Sequence, residues 1–210
     1  MLGVVVPARN EEKAISLVIG NLLAAGIDTK DIYVVDNNSV DDTKKIALSF
    51  GVTVIDCKLV GYQAALNQGL EYLKGNSYSK FLIIDGDNEI TYEAICNAMK
   101  NANNYDLIVG SRQNIKRIGE KIVNKYFYRL YGVKDMMCGL KLGRLTQFNT
   151  SNNLSFGIDL LDLSCVNKNR LLNMPISLNA RNSTRLGNIF VVNIKLLINL
   201  IYFLIRIKVK

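Results

Sequence analysis

Five runs rich in Val and Ile, separated by segments with helical periodicity, fill the first 112 residues and leave the chain few folds to choose from. The runs are LGVVVPA (2–8), DIYVVDNN (31–38), VTVIDC (52–57), KFLIIDGD (80–87) and YDLIVGSR (105–112). Between them lie helical stretches at 11–26, 41–51, 61–75 and 91–104. Nearly continuous apolar strands suit burial on both faces, and the spacing suits right-handed crossovers. The pattern predicts an α/β fold with a doubly wound, mostly parallel sheet flanked by helices, and ligands at the carboxyl ends of the strands. No Pro/Gly/Ser-rich linker divides it. A length of 210 residues suits one domain, here read as 1–187, followed by an apolar helix over 188–210.

Composition narrows the chemistry. The chain has no histidine, which removes imidazole bases and histidine metal ligands. Any metal must then be held by oxygen, which favours Mg²⁺ or Mn²⁺. The four cysteines, Cys57, Cys96, Cys138 and Cys165, lie far apart with no CxxC pair, so neither a zinc site nor a disulfide framework is expected. No secretory signal is expected either, and a cytoplasmic setting follows from the cysteine usage.

The net charge of +8 is unevenly spread. Residues 1–111 carry 14 acids and 9 bases, whereas residues 112–210 carry 17 bases and 4 acids. An acidic first half can hold a cation and a basic second half an anion, or the lysines simply maintain solubility. No nucleic-acid reader motif accompanies the basic half, so nucleic acid is not expected as a partner.

The loop after the first strand, Pro7-Ala8-Arg9-Asn10-Glu11-Glu12, is neither a GxGxxG turn nor a P-loop. The fourth run ends in Asp85-Gly86-Asp87-Asn88-Glu89. Alternation along an extended chain puts Asp85, Asp87 and Glu89 on one side, where they can ligate a divalent cation bridging a diphosphate.

Two later segments are amphipathic. Over 116–132, Arg117, Lys121, Lys125 and Arg129 recur every four residues opposite an apolar face. This is either a solvated face or one lying near phosphates or an anionic membrane. The tail, 188–210, is the most apolar part of the chain. Its polar positions Asn188, Lys195, Asn199 and Arg206 fall within about 40° of one another on a helical wheel. Lys195 near the middle disfavours a membrane crossing. The tail is expected in the membrane interface or packed on the domain with an apolar side exposed.

Seven collinear segments carry a family resemblance: VVVPARNEE (4–12), VVDNNSVDDT (34–43), GYQAALNQG (61–69), LIIDGDNE (82–89), VGSR (109–112), KDMMCGLK (134–141) and MPISLNAR (174–181). Together they resemble glycosyltransferase family 2, with the GT-A fold, and within it the dolichyl-phosphate mannose synthase branch. The resemblance implies a donor half (1–111) and an acceptor half (112–187). It implies that Pro7, Arg9, Glu11, Asp36 and Asp85 hold the nucleotide, and that Asp85, Asp87 and Glu89 ligate the metal. It places Arg112, Arg117 and Arg181 near the donor diphosphate and the acceptor phosphate, with Asp135 closing the acceptor side. Asn37 and Asn38, Cys138, the short 112–117 stretch and the 181–185 segment depart from the family pattern.

The implied activity is an inverting transfer of a hexose from a GDP- or UDP-sugar to a polyprenyl phosphate. A peripheral position on the cytoplasmic membrane face goes with it. A phosphate monoester is already ionised near neutral pH and needs cationic positioning rather than a general base, which suits a chain without histidine. Asp135 acting as base for a glycan hydroxyl, a nucleotidyltransferase, and a non-catalytic nucleotide-sugar-binding subunit are the alternatives.

Overall fold

The computed structural model describes residues 1–147, 166–180 and 189–209, with side chains of the last helix described to Ile205. In order, the chain forms β1 (Leu2–Ala8), α1 (Ile15–Ala24), β2 (Ile32–Asp36), α2 (Thr43–Ser49), β3 (Thr53–Asp56) and α3 (Tyr62–Gly75). Then come β4 (Lys80–Ile83), α4 (Tyr92–Asn101), β5 (Leu107–Arg112), α5 (Ile118–Tyr131), β6 (Lys141–Arg144), β7 (Leu171–Ile176) and α6 (Ile189–Val209). The strands make one seven-stranded sheet in the order β3-β2-β1-β4-β6-β5-β7. It is the mostly parallel α/β sheet that the Val/Ile runs predict. The exception is β6, which lies antiparallel between β4 and β5.

Side-chain alternation along the strands supplies two cores. Val4, Val6, Ile32, Val34, Leu82 and Ile108 face α1, α2 and α4. Val5, Val35, Phe81, Ile83, Leu107 and Val109 face α3, α5 and α6. Both faces are thus buried, as continuous apolar strands require. Thr91 opens α4 by accepting a hydrogen bond from the Ala94 N–H (3.3 Å), an N-cap. Gly132 closes α5 in the left-handed region at φ 80°, where a residue with a Cβ is strained.

Two expectations change. The helix over 11–26 begins only at Ile15, because Glu11 and Glu12 are tied to the loop after β2. The apolar run 80–87 stops being strand at Ile83, so Asp85, Asp87 and Glu89 do not share a side by strand alternation. A turn positions them instead.

The tail helix packs on the domain. Val192, Leu196 and Leu200 are buried in the core beside α5, and Phe203 stacks on Phe127 with ring centroids 4.9 Å apart. Each buried Leu stabilises by about 1.5–3 kcal/mol, so α6 belongs to the core. Its outward side is apolar: Val191, Ile194, Ile198, Ile201 and Ile205 are exposed at alternating spacings of three and four residues. Asn193 turns inward to accept the Gly119 N–H (3.0 Å), and the Asn199 Nδ2 is buried without a partner. Asn188 and Arg206 fall outside the described side chains. Among the described residues, no helix is long and apolar enough to cross a membrane.

Candidate active site

The loops at the carboxyl ends of β1 and β2 are stapled together. The N–H of Asn10 donates to the Ser39 hydroxyl (2.9 Å), that of Glu11 to the Thr43 hydroxyl (2.7 Å), and that of Glu12 to Asp41 (3.2 Å). The segments 7–12 and 36–43 therefore act as one rim. Asp36 accepts the Ser39 N–H through Oδ2 (3.3 Å), while its Oδ1 is buried with no hydrogen-bond partner. Asn37, one of the departures from the family pattern, holds the next loop: its Nδ2 donates to Leu59 O (2.7 Å) and its Oδ1 accepts the Gly61 N–H (2.8 Å).

Beyond β4 the backbone turns. Asn88 takes a positive φ of 58°, and the Glu89 N–H donates to Asp87 Oδ1 (3.1 Å). Asn179 then clamps the turn by donating from its side chain to Asn88 O and from its backbone to Glu89 O (2.9 and 2.8 Å). Asp85 is half-buried and accepts a hydrogen bond from the Tyr62 hydroxyl (2.7 Å). Gly139 lies so close that a Cβ there would collide with the Asp85 carboxylate, which requires glycine. Burial, and after it the charges of Asp87 and Glu89, push the Asp85 carboxyl up to about 6. Burial and Asp85 together keep the Tyr62 hydroxyl protonated, so it serves as donor.

Across from this turn is an arginine cluster. Arg112 donates to both oxygens of Asp135, Nε to Oδ2 (2.7 Å) and Nη2 to Oδ1 (2.9 Å), and also to Glu120 (3.1 Å). Arg117 donates to the other Glu120 oxygen (2.6 Å). Asn124 donates its side-chain amide to Asp135 (3.0 Å) and accepts the Met136 N–H (2.9 Å). The Asp135 side chain is fully buried. Burial opposes its ionisation, but the hydrogen bonds and charge of Arg112 hold its carboxyl below the usual range. An ionised carboxylate with both oxygens committed is a support for Arg112.

One cavity of about 320 Å³ joins the two sides. Pro7, Arg9, Glu11, Asp85, Asp87, Glu89, Arg112 and Arg117 all line it. Asp36 is buried behind this lining. Asp135 lies beneath Arg112 and is not among the residues that line the cavity. Arg181 falls outside the described residues. Sequence reasoning missed Tyr62, Glu120, Gly139 and Lys141. Tyr62, Gly139 and Lys141 lie inside motifs already singled out, but nothing in the sequence reveals a tyrosine or a lysine turned inward.

Carboxylates in a turn at the centre of a parallel sheet, facing two arginines across one cavity, define a protein that can hold an anion together with a cation. The chain belongs to glycosyl transferase family 2, whose family model matches residues 3–163. It is 36% identical over 118 residues to protein RfbJ of Shigella flexneri, covering 53% of this chain and 85% of that protein. It is also 30% identical over 92 residues to 4,4'-diaponeurosporenoate glycosyltransferase of Staphylococcus aureus, over 41% of this chain and 24% of that protein. Glucosyl-3-phosphoglycerate synthase from Mycobacterium tuberculosis, crystallised with Mn²⁺, UDP-glucose and glycerol 3-phosphate, superposes with a TM-score of 0.72. That match is 17% identical and covers 96% of this chain and 79% of that one, a likeness of fold. The narrower dolichyl-phosphate mannose synthase branch is not established by these relatives.

Proposed function

We propose that the protein transfers a hexose from a GDP- or UDP-sugar, with Mg²⁺ or Mn²⁺, to a polyprenyl phosphate at the surface of an anionic membrane. The donor set of the turn suits a hard dication: it is all carboxylate oxygen, crowded enough to raise Asp85. Among the described residues no three of His, Cys, Asp or Glu stand together as a ready ligand group. Asp85, Asp87 and Glu89 would hold the cation jointly with the diphosphate oxygens. When bound, the cation supplies positive charge to the departing diphosphate. Pro7, Arg9 and Glu11 line the nucleotide side, with Asp36 buried behind them. The solved relative with Mn²⁺ and UDP-glucose supports this donor reading.

The observation that carries the acceptor is the commitment of Asp135. The carboxylate that would serve a hydroxyl acceptor as base is locked in a bidentate pair with Arg112. An acceptor that brings its own negative charge needs no such base, and Arg112 and Arg117, with Arg181 on the resemblance, supply positioning. Apolar side chains also line the cavity, among them Ile90, Met137, Leu178, Val192 and Leu196, and suit an acceptor that carries isoprene units. The purified enzyme should transfer sugar to a polyprenyl phosphate and leave the polyprenol and free sugars unmodified. Transfer to the hydroxyl compounds alone would overturn the acceptor assignment.

The membrane part rests on the outer face of α5 and α6. The stripe Val191, Ile194, Ile198, Ile201 and Ile205 is exposed, as are Lys195 on α6 and Lys121, Lys125 and Arg129 on the neighbouring α5, and α6 carries no acidic residue. Each basic residue near an anionic surface contributes about 1 kcal/mol, weakened by salt. Co-sedimentation with phosphatidylglycerol vesicles is expected at low salt and should fall several-fold in an Ile198→Glu, Ile201→Glu variant. Both positions are exposed, so the melting temperature should barely move. Equal vesicle binding by variant and parent would remove the membrane from the proposal.

A further inference from the structure

Lys141 is the buried cation for which the site, so far, has no use. It sits on β6, the antiparallel strand, opposite Ile83 of β4 and Val109 of β5. It is 2% exposed and lines the same cavity as Asp85 and Asp87. Among the described residues its ammonium has one hydrogen-bond acceptor, Cys138 O (2.6 Å), and it makes no ion pair. An ammonium has three donors, and burying one with a single acceptor and no direct ion pair is costly. Burial depresses its affinity for a proton, while Cys138, Asp85 and Asp135 act in the opposite direction.

This geometry has a consequence for the order in which charges enter the cavity. A bare dication placed at Asp85 and Asp87 shares the cavity with Lys141, which has no ion pair among the described residues, whereas Arg112 and Arg117 are already held by Asp135 and Glu120. A nucleoside diphosphate placed there alone meets Asp85, Asp87 and Glu89. Only the two together leave neither set of charges opposed. We propose that Lys141 couples the cation to the diphosphate: it disfavours the bare cation, donates to the diphosphate oxygens, and makes the pair bind as a unit. This rests on the donor reading above and adds to it the residue that enforces joint binding.

The test is Mn²⁺ binding, followed by loss of the free-ion signal in electron paramagnetic resonance, without and with UDP or GDP. In the parent protein the matching nucleotide should tighten Mn²⁺ at least about tenfold, within the usual range of site coupling. Lys141→Met conserves length and removes the charge. It should bind bare Mn²⁺ several-fold more tightly and Mn²⁺ with nucleotide several-fold more weakly. Opposite signs are the signature, because a lysine that merely shaped the pocket would weaken both when removed. Tyr62→Phe, which loosens Asp85, should weaken both and serves as that reference. Lys141→Gln provides a second variant should the methionine disturb folding, with circular dichroism reporting the fold. Changes of the same sign with and without nucleotide in the Lys141 variants, or no change, would overturn the coupling while leaving the metal site standing. A parent protein that binds no Mn²⁺ even with nucleotide would overturn the metal reading, and the coupling with it.

Discussion

Asp87→Asn is expected to lower kcat/KM by about 10³-fold while the protein melts where the parent does. The substitution is chosen for its oxygen. Asp87 Oδ1 accepts the Glu89 N–H, and an asparagine oxygen can take the same hydrogen bond, so the turn survives. What disappears is the negative charge that, on the proposed function, would hold the cation against the departing diphosphate. Lost stabilisation of about 4 kcal/mol corresponds to that thousandfold. Excess EDTA should do the same to the parent enzyme, reversed by Mg²⁺ or Mn²⁺. The readouts are steady-state kinetics with the matched nucleotide sugar and thermal melting. Full turnover in either the variant or the chelated enzyme would remove the metal from the mechanism.

The second large effect falls on stability. Asp135→Asn should cost about 3–5 kcal/mol, because it leaves Arg112 beside a neutral amide where a fully buried carboxylate had balanced it. For a chain of this size that lowers the melting midpoint by about 10 °C. The same pair sets a pH dependence. The Asp135 carboxyl is held low in the folded protein, so its stabilisation is complete above the ordinary aspartate pKa of about 4 and fades as the pH falls through the lower folded value. The midpoint difference between parent and variant should therefore be wide at pH 7 and shrink below pH 4. Arg112→Met combined with Asp135→Leu should recover part of the loss, since an apolar pair leaves no charge stranded. A single variant melting with the parent at pH 7 would show that Asp135 does not carry the pair.

Much of this architecture is legible in the residues. β1, β2, β4 and β5 announce themselves because Val and Ile runs buried on both faces have no other reading at that spacing, and β3 follows as the next such run although it lies half-exposed at the edge. β6 and β7 do not. KLGR and LLNMPI carry lysine, arginine, asparagine and proline, and become strands only because neighbours already in the sheet pair with them. The carboxylates at 85, 87 and 89 were identifiable from their place after an apolar run, yet they sit in a turn with Asn88 at positive φ rather than along a strand. The role of Asp135 was not legible at all, since a buried carboxylate and a catalytic one look alike in sequence. The tail shows the same limit. Its wheel suggests a polar stripe, but packing turns Asn193 and Asn199 toward the domain and leaves isoleucines outside.

The position of β6 also orders the assembly of the molecule in time. Parallel pairs such as Val4 with Ile32 join strands one crossover apart. β6 must find the slot between β4 and β5, pairing Lys80 with Arg144 and Leu107 with Gly143. Contacts this distant in sequence, like those of β1 with β4 and of β5 with β7, cost more chain entropy to close than single crossovers. Lys141 arrives with that strand and Gly139 just ahead of it, so the turn bearing Asp85 and Asp87 exists before its wall does. A nascent chain released before β6 would carry the acidic turn without the wall that Gly139 and Lys141 give the cavity.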